Sequence, residues 1–254
     1  MLHLRFSTRA KLIALGIVMS IILLGIVWGL VHKKTNSAHH QSMVQGFDVS
    51  HHQKQIQWQK ISPQKYQFVY LKATEGGDFS DTRFQENWLK AREQGLYVGA
   101  YHFYRLCRDG KTQAQHFIHT VPKKPDALPP AMDLEYDSTC INHYSKEQLL
   151  NEIQIMHDAL LQHYEKQPIF YTTPTFYHIV LVGHFKNTPL WIRDYKGQPK
   201  LPEPMTWLFW QYSNQGKIEG INSPVDVNRF NGNPQDWQDF LIQQQVIKHK
   251  AIDE

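Results

Sequence analysis

Between residues 46 and 230 the chain returns eight times to a run of strand length, and no other feature narrows its fold as much. The runs are Gly46–Ser50, Phe68–Thr74, Tyr97–Tyr104, Pro130–Glu135, Pro168–Thr173, Pro189–Tyr195, Thr206–Ser213 and Val225–Phe230. Several are rich in β-branched and aromatic residues, and Pro, Gly or Asn sits near most of their ends, as strands require. Helical patterns separate the first six. Strand alternating with helix implies a parallel sheet, and eight strands in one chain of this length imply a closed barrel. Between the sixth, seventh and eighth runs there is no room for a good helix. The expectation is an α/β fold, an irregular TIM-like βα barrel of about five βα units followed by three strands. An open doubly wound sheet is the alternative, but no glycine-rich phosphate loop follows the first strand.

The helices are expected at Asp81–Gln94, Thr112–Val121, Ser145–Lys166 and Thr175–Val182. In the first, Phe84, Trp88, Leu89 and Ala91 are expected to face inward. The third has the strongest signal. Ser145 with Gln148 forms a capping box, and Leu149, Ile153, Met156, Leu160 and Leu161 follow at helical spacing. Asn233-Pro234 then opens a last helix, with Asn as cap and Pro in the first turn.

Ahead of the barrel, residues 12–31 read LIALGIVMSIILLGIVWGLV. At ~1.5 Å per residue this run matches the thickness of a bilayer core. Arg5, Arg9 and Lys11 precede it, a balance that puts residues 1–11 in the cytoplasm and the remainder outside. No small-residue cleavage site closes the run, so it reads as an uncleaved signal anchor, with secretion after signal cleavage as the alternative. Residues 32–45 are polar and read as a flexible tether, leaving 46–254 as the folded domain. The domain location is therefore periplasmic or extracellular, and a monomer is the default.

The net charge of +4 is mildly basic. It favours an anionic cell-wall polymer or lipid headgroups, and without an Arg/Lys run interleaved with aromatics it excludes a nucleic-acid partner. The His39-His40 and His51-His52 pairs lack ligand spacing, and the two cysteines form neither CxxC nor a zinc set. No metal is expected.

In a parallel barrel, chemistry sits at the C-terminal ends of the strands. Asp48 lies there on the first run, Asp133 and Glu135 on the fourth, Glu75 on the second and Asp194 on the sixth, while Asp226 lies in the eighth between Val225 and Val227. Asp133 and Glu135 are two residues apart, so on a strand they share a face with Cα atoms roughly 6.5–7 Å apart. Mutual repulsion and partial burial raise the pKa of one of them. A protonated carboxyl beside an ionised one is what glycosidic cleavage needs. An isolated Asp-x-Glu is more often a pair of solvated surface acids; Asp48 and Asp226 at matching positions shift the balance. Tyr101, Phe103, Tyr104, Tyr171, Trp191, Trp210 and Tyr212 also lie in these runs. Many must simply pack the barrel, but any that line a cleft offer flat faces to sugar rings.

From Gly46 to about Gly232 the chain resembles the family 25 glycoside hydrolases, lysozymes with an irregular βα barrel. The resemblance is carried by GFDVS at 46–50, YLKATEG at 70–76, GAYHFY at 99–104, AMDLE at 131–135, IFYTT at 169–173, LWIRDY at 190–195, FWQYS at 209–213 and VDVNRFNG at 225–232. It implies hydrolysis of the β-1,4 bond between N-acetylmuramic acid and N-acetylglucosamine in peptidoglycan. Glu135 is the implied general acid. Asp133 is its implied partner, acting as nucleophile or orienting the substrate's 2-acetamido group, and Asp48 and Asp226 are supporting acids. Lys72, Glu75, Tyr101, Tyr171, Trp191, Gln211 and Tyr212 are implied cleft residues, and no metal or organic cofactor is implied. Arg193-Asp194 departs from the family pattern and is expected to add a charge pair near the rim, bearing on substrate preference. Cys107 and Cys140 follow the third and fourth strands and are expected to form a disulfide bracing that rim. Two readings compete: a catalytically silent, membrane-tethered glycan-binding module, and a glycosidase acting on another 2-acetamido polymer such as chitin.

Overall fold

A computed structural model describes residues 19–29, 43–137, 140, 142–202 and 206–248. The chain divides into two compact units, Met1–Met43 and Val44–Glu254. In the first, residues 19–29 form helix α1, whose large apolar side chains are all more than half exposed. Among the described residues no helix is long and apolar enough to cross a membrane. The rest of the expected anchor, 12–31, and most of the tether, 32–45, lie outside them.

The second unit is a closed barrel of eight strands with one short addition. In chain order the strands are β1 (Gln45–Val49), β2 (Phe68–Glu75), β3 (Phe79–Ser80), β4 (Tyr97–Phe103), β5 (Ala131–Leu134), β6 (Ile169–Thr172), β7 (Leu190–Arg193), β8 (Trp207–Gly216) and β9 (Val225–Phe230). They pair in the order β1-β9-β8-β7-β6-β5-β4-β2, and β1 pairs with β2 to close the ring. The two-residue β3, which the sequence did not suggest, folds back antiparallel on the end of β2. Every barrel pair is parallel except those of β9, which runs antiparallel to both β8 and β1. A parallel return needs a crossover of a dozen or more residues; the segment from Gly216 to Val225 is too short, so the last strand reverses.

The outer layer holds α2 (Phe84–Glu93), α3 (Gly110–Thr120), α4 (Lys146–Tyr164), the single turn α5 (Pro174–Phe176) running into a π-turn (Tyr177–Leu181), and α6 (Pro234–Gln243). The Ser145–Gln148 capping box is present on α4, and Asn233 caps α6 with Asp236 as its reciprocal partner. Leu89 does not face inward. It is 59% exposed while Phe84, Trp88 and Ala91 are buried, because it lies about 100° around the helix from Trp88. Leu161 is likewise 37% exposed, off the buried stripe of α4. The first connection carries 3₁₀ turns (His51–Gln53 and Trp58–Lys60) in place of a helix, so one of the five expected βα units lacks its helix. Its buried Ile56, Trp58, Ile61 and Tyr66 have no helical period.

Alternation along the strands sorts the core into two layers. Val69, Leu71, Ala73, Val98, Ala100, Met132, Leu134, Phe170 and Ile192 pack in an outer cluster with apolar residues of α2, α3 and α4. Phe68, Tyr70, Ala131, Ile169, Tyr171, Trp191, Phe209 and Phe230 form a second, inner cluster with Trp237 and Phe240 of α6. The Trp237 ring lies 5.4 Å from Phe68 and 5.2 Å from Phe230 between centroids, so the last helix packs onto this inner layer. Two glycines make the filling fit. A Cβ on Gly46 would stand 2.4 Å from the Phe68 ring, and one on Gly99 would stand 2.3 Å from Tyr70.

Candidate active site

With that apolar plug below, the polar inner residues collect toward the C-terminal ends of the parallel strands. A cavity of about 310 Å³ opens there. Its walls include Asp48 from β1, Tyr101 and Phe103 from β4, Asp133 from β5 with Glu135 just beyond it, Tyr171 from β6, Trp191 and Arg193 from β7, Gln211 from β8 and Asp226 from β9. Period-2 alternation selects each of them. Of the seven aromatic candidates, Tyr101, Phe103, Tyr171 and Trp191 line the cavity, while Tyr104, Trp210 and Tyr212 pack against the outer core.

Asp226 reaches the same rim because its strand is reversed. It is the second residue of β9 and the direct cross-strand partner of Asp48. Asp48 is held by two amides: Asn228 Nδ2 and Gln211 Nε2 both donate to its Oδ2, at 2.7 and 3.0 Å. Those amides are themselves oriented. Trp191 Nε1 donates to Asn228 Oδ1 at 2.8 Å, and the hydroxyls of Tyr171 and Tyr195 donate to Gln211 Oε1 at 3.0 and 2.7 Å. Asp133 contrasts with Asp48. Its Oδ1 is fully buried and meets no hydrogen-bond donor among the described residues.

All four acids are pushed toward their protonated forms. Burial lifts Asp48 well above the usual carboxylate range, Asp226 adds to the rise, and the amides of Asn228 and Gln211 oppose it. Burial also lifts Asp133 strongly, helped by Glu135 and Asp48. Glu135 is raised by burial against the pull of Arg193. Burial brings Asp226 to about 6, with Arg193 again opposing. Such a cluster holds protons at mildly acid pH, the state in which a carboxyl serves as a general acid.

Arg193 is not one half of a charge pair with Asp194. The side chains alternate at the end of β7, so Arg193 turns inward and its Nη1 meets Glu135 Oε2 at 2.9 Å. Asp194 stays outside, accepting from the Lys196 backbone N–H. Lys72 and Glu75 pair with each other at 2.7 Å beside the cavity, and Lys72 Nζ lies 4.9 Å from the centre of the Phe103 ring that lines it. Tyr212 stands on the opposite face of β8 from Gln211, away from the cavity. Its position one residue from Gln211 accounts for this, since neighbouring strand residues face opposite ways. Cys107 and Cys140 are joined as a disulfide between the segments that follow β4 and β5. Sequence reasoning missed Asn228, Tyr195 and Asn214. Asn228 was within reach of it, being two residues beyond Asp226 on the same face of β9, whereas Tyr195 and Asn214 line the cavity from outside any such pairing.

The family model for "Glycosyl hydrolases family 25" matches residues 47–221. Uncharacterized protein YegX of Escherichia coli strain K12 is 34% identical over 203 residues, covering 78% of this chain and 73% of that protein. Lysozyme M1 of Streptomyces globisporus is 33% identical over 202 residues, covering 75% and 69% respectively. Among solved structures, a family 25 glycosyl hydrolase from Bacillus anthracis superposes with a TM-score of 0.73 at 36% identity, covering 78% of this chain and 93% of the other.

Proposed function

Because this chain belongs to family 25 of the glycosyl hydrolases, we propose that it is a lysozyme, an N-acetylmuramidase that cleaves β-1,4 bonds between N-acetylmuramic acid and N-acetylglucosamine in peptidoglycan. One observation carries this reading. Asp48 of β1, Asp133 of β5, Glu135 just beyond β5 and Asp226 of β9 line a single cavity with Tyr101, Tyr171 and Trp191 among its other walls. Glu135 in its protonated form gives its proton to the leaving glycosidic oxygen. Asp133 accepts from the N–H of the substrate's 2-acetamido group, and the acetamido oxygen attacks the anomeric carbon. Water, deprotonated by the Glu135 carboxylate, then opens that intermediate and restores the acid, with net retention. Asp133 Oδ1, buried and meeting no donor among the described residues, supports this route, since it is free to accept that N–H. Asp48 and Asp226 set the field in which the positive charge of the transition state develops.

The apolar run at 12–31 supports a membrane anchor holding the domain outside the cytoplasm, as do the exposed large apolar side chains of α1 within it. Alkaline carbonate extraction of membranes tests this; release of the full-length chain into the supernatant would reject it.

The full chain and its Glu135→Gln variant on purified peptidoglycan test the chemistry, with mass spectrometry of the new reducing ends. Muramic acid ends from the wild type, reduced about 10²–10⁴-fold in the variant, are the expected result. Undiminished cleavage by the variant would remove Glu135 from its role, and binding without cleavage by the wild type would favour a silent glycan-binding module.

A further inference from the structure

Arg193 is the only cation among the described residues that line the cavity. Its side chain is 36% exposed, and Glu135 is its sole ion-pair or hydrogen-bond partner among the described residues. A guanidinium carries five N–H donors in a fixed fork. One nitrogen reaches Glu135, so most of the fork is left for something that enters the cavity. A neutral amino-sugar polymer offers only hydroxyls and amides there. Muramic acid differs from N-acetylglucosamine by a lactyl ether that ends in a carboxyl group, and a carboxylate is the partner a guanidinium fork fits best.

We propose, resting on the muramidase reading, that Arg193 is a specificity-determining residue that binds a carboxylate carried by the muramyl residue and in doing so releases Glu135. In the free enzyme Arg193 pairs with Glu135. An arriving carboxylate competes for the guanidinium, and Glu135, relieved of its cation, takes up the proton that it delivers to the leaving oxygen. Recognition and arming of the acid are one exchange of partners. A polymer without carboxylates leaves Glu135 paired, so the anionic substrate gains in kcat as well as in KM. The carboxylate has two possible sources: the lactyl group itself once its peptide has been removed, or the stem peptide.

The test uses the full chain and three forms of one glycan preparation: strands with peptides removed, the same strands with their carboxylates coupled to methylamine, and peptide-bearing strands. The wild type is expected to cleave the free-carboxylate strands with a kcat/KM at least about tenfold above the methylamide strands, the scale of a charge-assisted hydrogen bond. Arg193→Gln is expected to bring that ratio close to one. Peptide-bearing strands that behave like free-carboxylate strands show that a stem-peptide carboxylate serves as well; if they behave like methylamide strands, only the free lactyl carboxylate does. A wild-type ratio near one overturns the proposal, and this arm needs no variant to fold. A ratio that survives in Arg193→Gln overturns it too, whereas failure of the wild type on all three strands would instead overturn the lysozyme reading.

Discussion

Asp48 and Asp226 are direct cross-strand partners on β1 and β9, two acids placed opposite each other where the barrel closes. Like charges so placed destabilise a sheet. Asn228, two residues along β9, donates to one of the pair and accepts from Trp191. Asn228→Ala strands the Trp191 indole N–H and leaves Asp48 with Gln211 alone. The expected cost is about 1–3 kcal/mol of stability, read by urea unfolding, together with a clear drop in kcat. An unchanged kcat would mean that the orientation of Asp48 is irrelevant to turnover.

Asp226 gives the pH dependence a sign. Its carboxyl titrates near 3.8 unfolded and at about 6 folded. The folded state therefore holds the proton more tightly. The resulting stabilisation is complete below about 3.8 and is lost as pH rises through about 6, amounting to no more than about 2–3 kcal/mol for a partly exposed group. Asp226→Asn lacks this component. Unfolding free energies measured at pH 4 and pH 7 are expected to show the variant gaining on the wild type as pH rises; parallel curves would contradict it.

Gly99→Ala tests the inner packing. The added methyl would sit 2.3 Å from Tyr70, whose ring is wedged 4.9 Å from Trp191 and cannot retreat. Overpacking of this kind costs about 1–3 kcal/mol. A lowered midpoint in thermal unfolding is expected, and an unshifted one would show that the ring has room to move.

The Cys107–Cys140 bridge spans 33 residues. Closing a loop of that length in the unfolded chain is worth about 3–4 kcal/mol. The Cys107→Ser, Cys140→Ser double variant is expected to lose stability on that scale, as is the reduced wild type, in denaturant titrations run with and without reductant.

Much of this architecture is legible because strand-length runs and a helical period are written into the chain. Runs bounded by Pro, Gly or Asn mark all eight barrel strands, and the helical period with the Ser145 and Asn233 caps marks the stronger helices. Strand-end position picks out Asp48, and the period of two puts Asp133 and Glu135 on one face. Tyr212 was carried over from the family resemblance without asking which face of β8 it occupies, and the same alternation turns it away from the cavity. The reversal of β9 is a matter of linker length rather than composition, and the strand pattern is silent about direction. Arg193 shows a different limit. Adjacency in sequence suggested a partnership with Asp194, but neighbours on a strand point apart, and its partner is Glu135, just past the end of β5.

The closure of the ring by β9 also decides when the acid cluster is complete. Asp48 sits near the domain's start and Asn228 near its end, 180 positions apart. A chain still being synthesised, with β1 to β8 already emerged, presents an open sheet that lacks Asp226 and the amide that steadies Asp48. Contacts of such span carry a large loop-closure cost. The full set of four acids thus shares one cavity only after the last strand is in place.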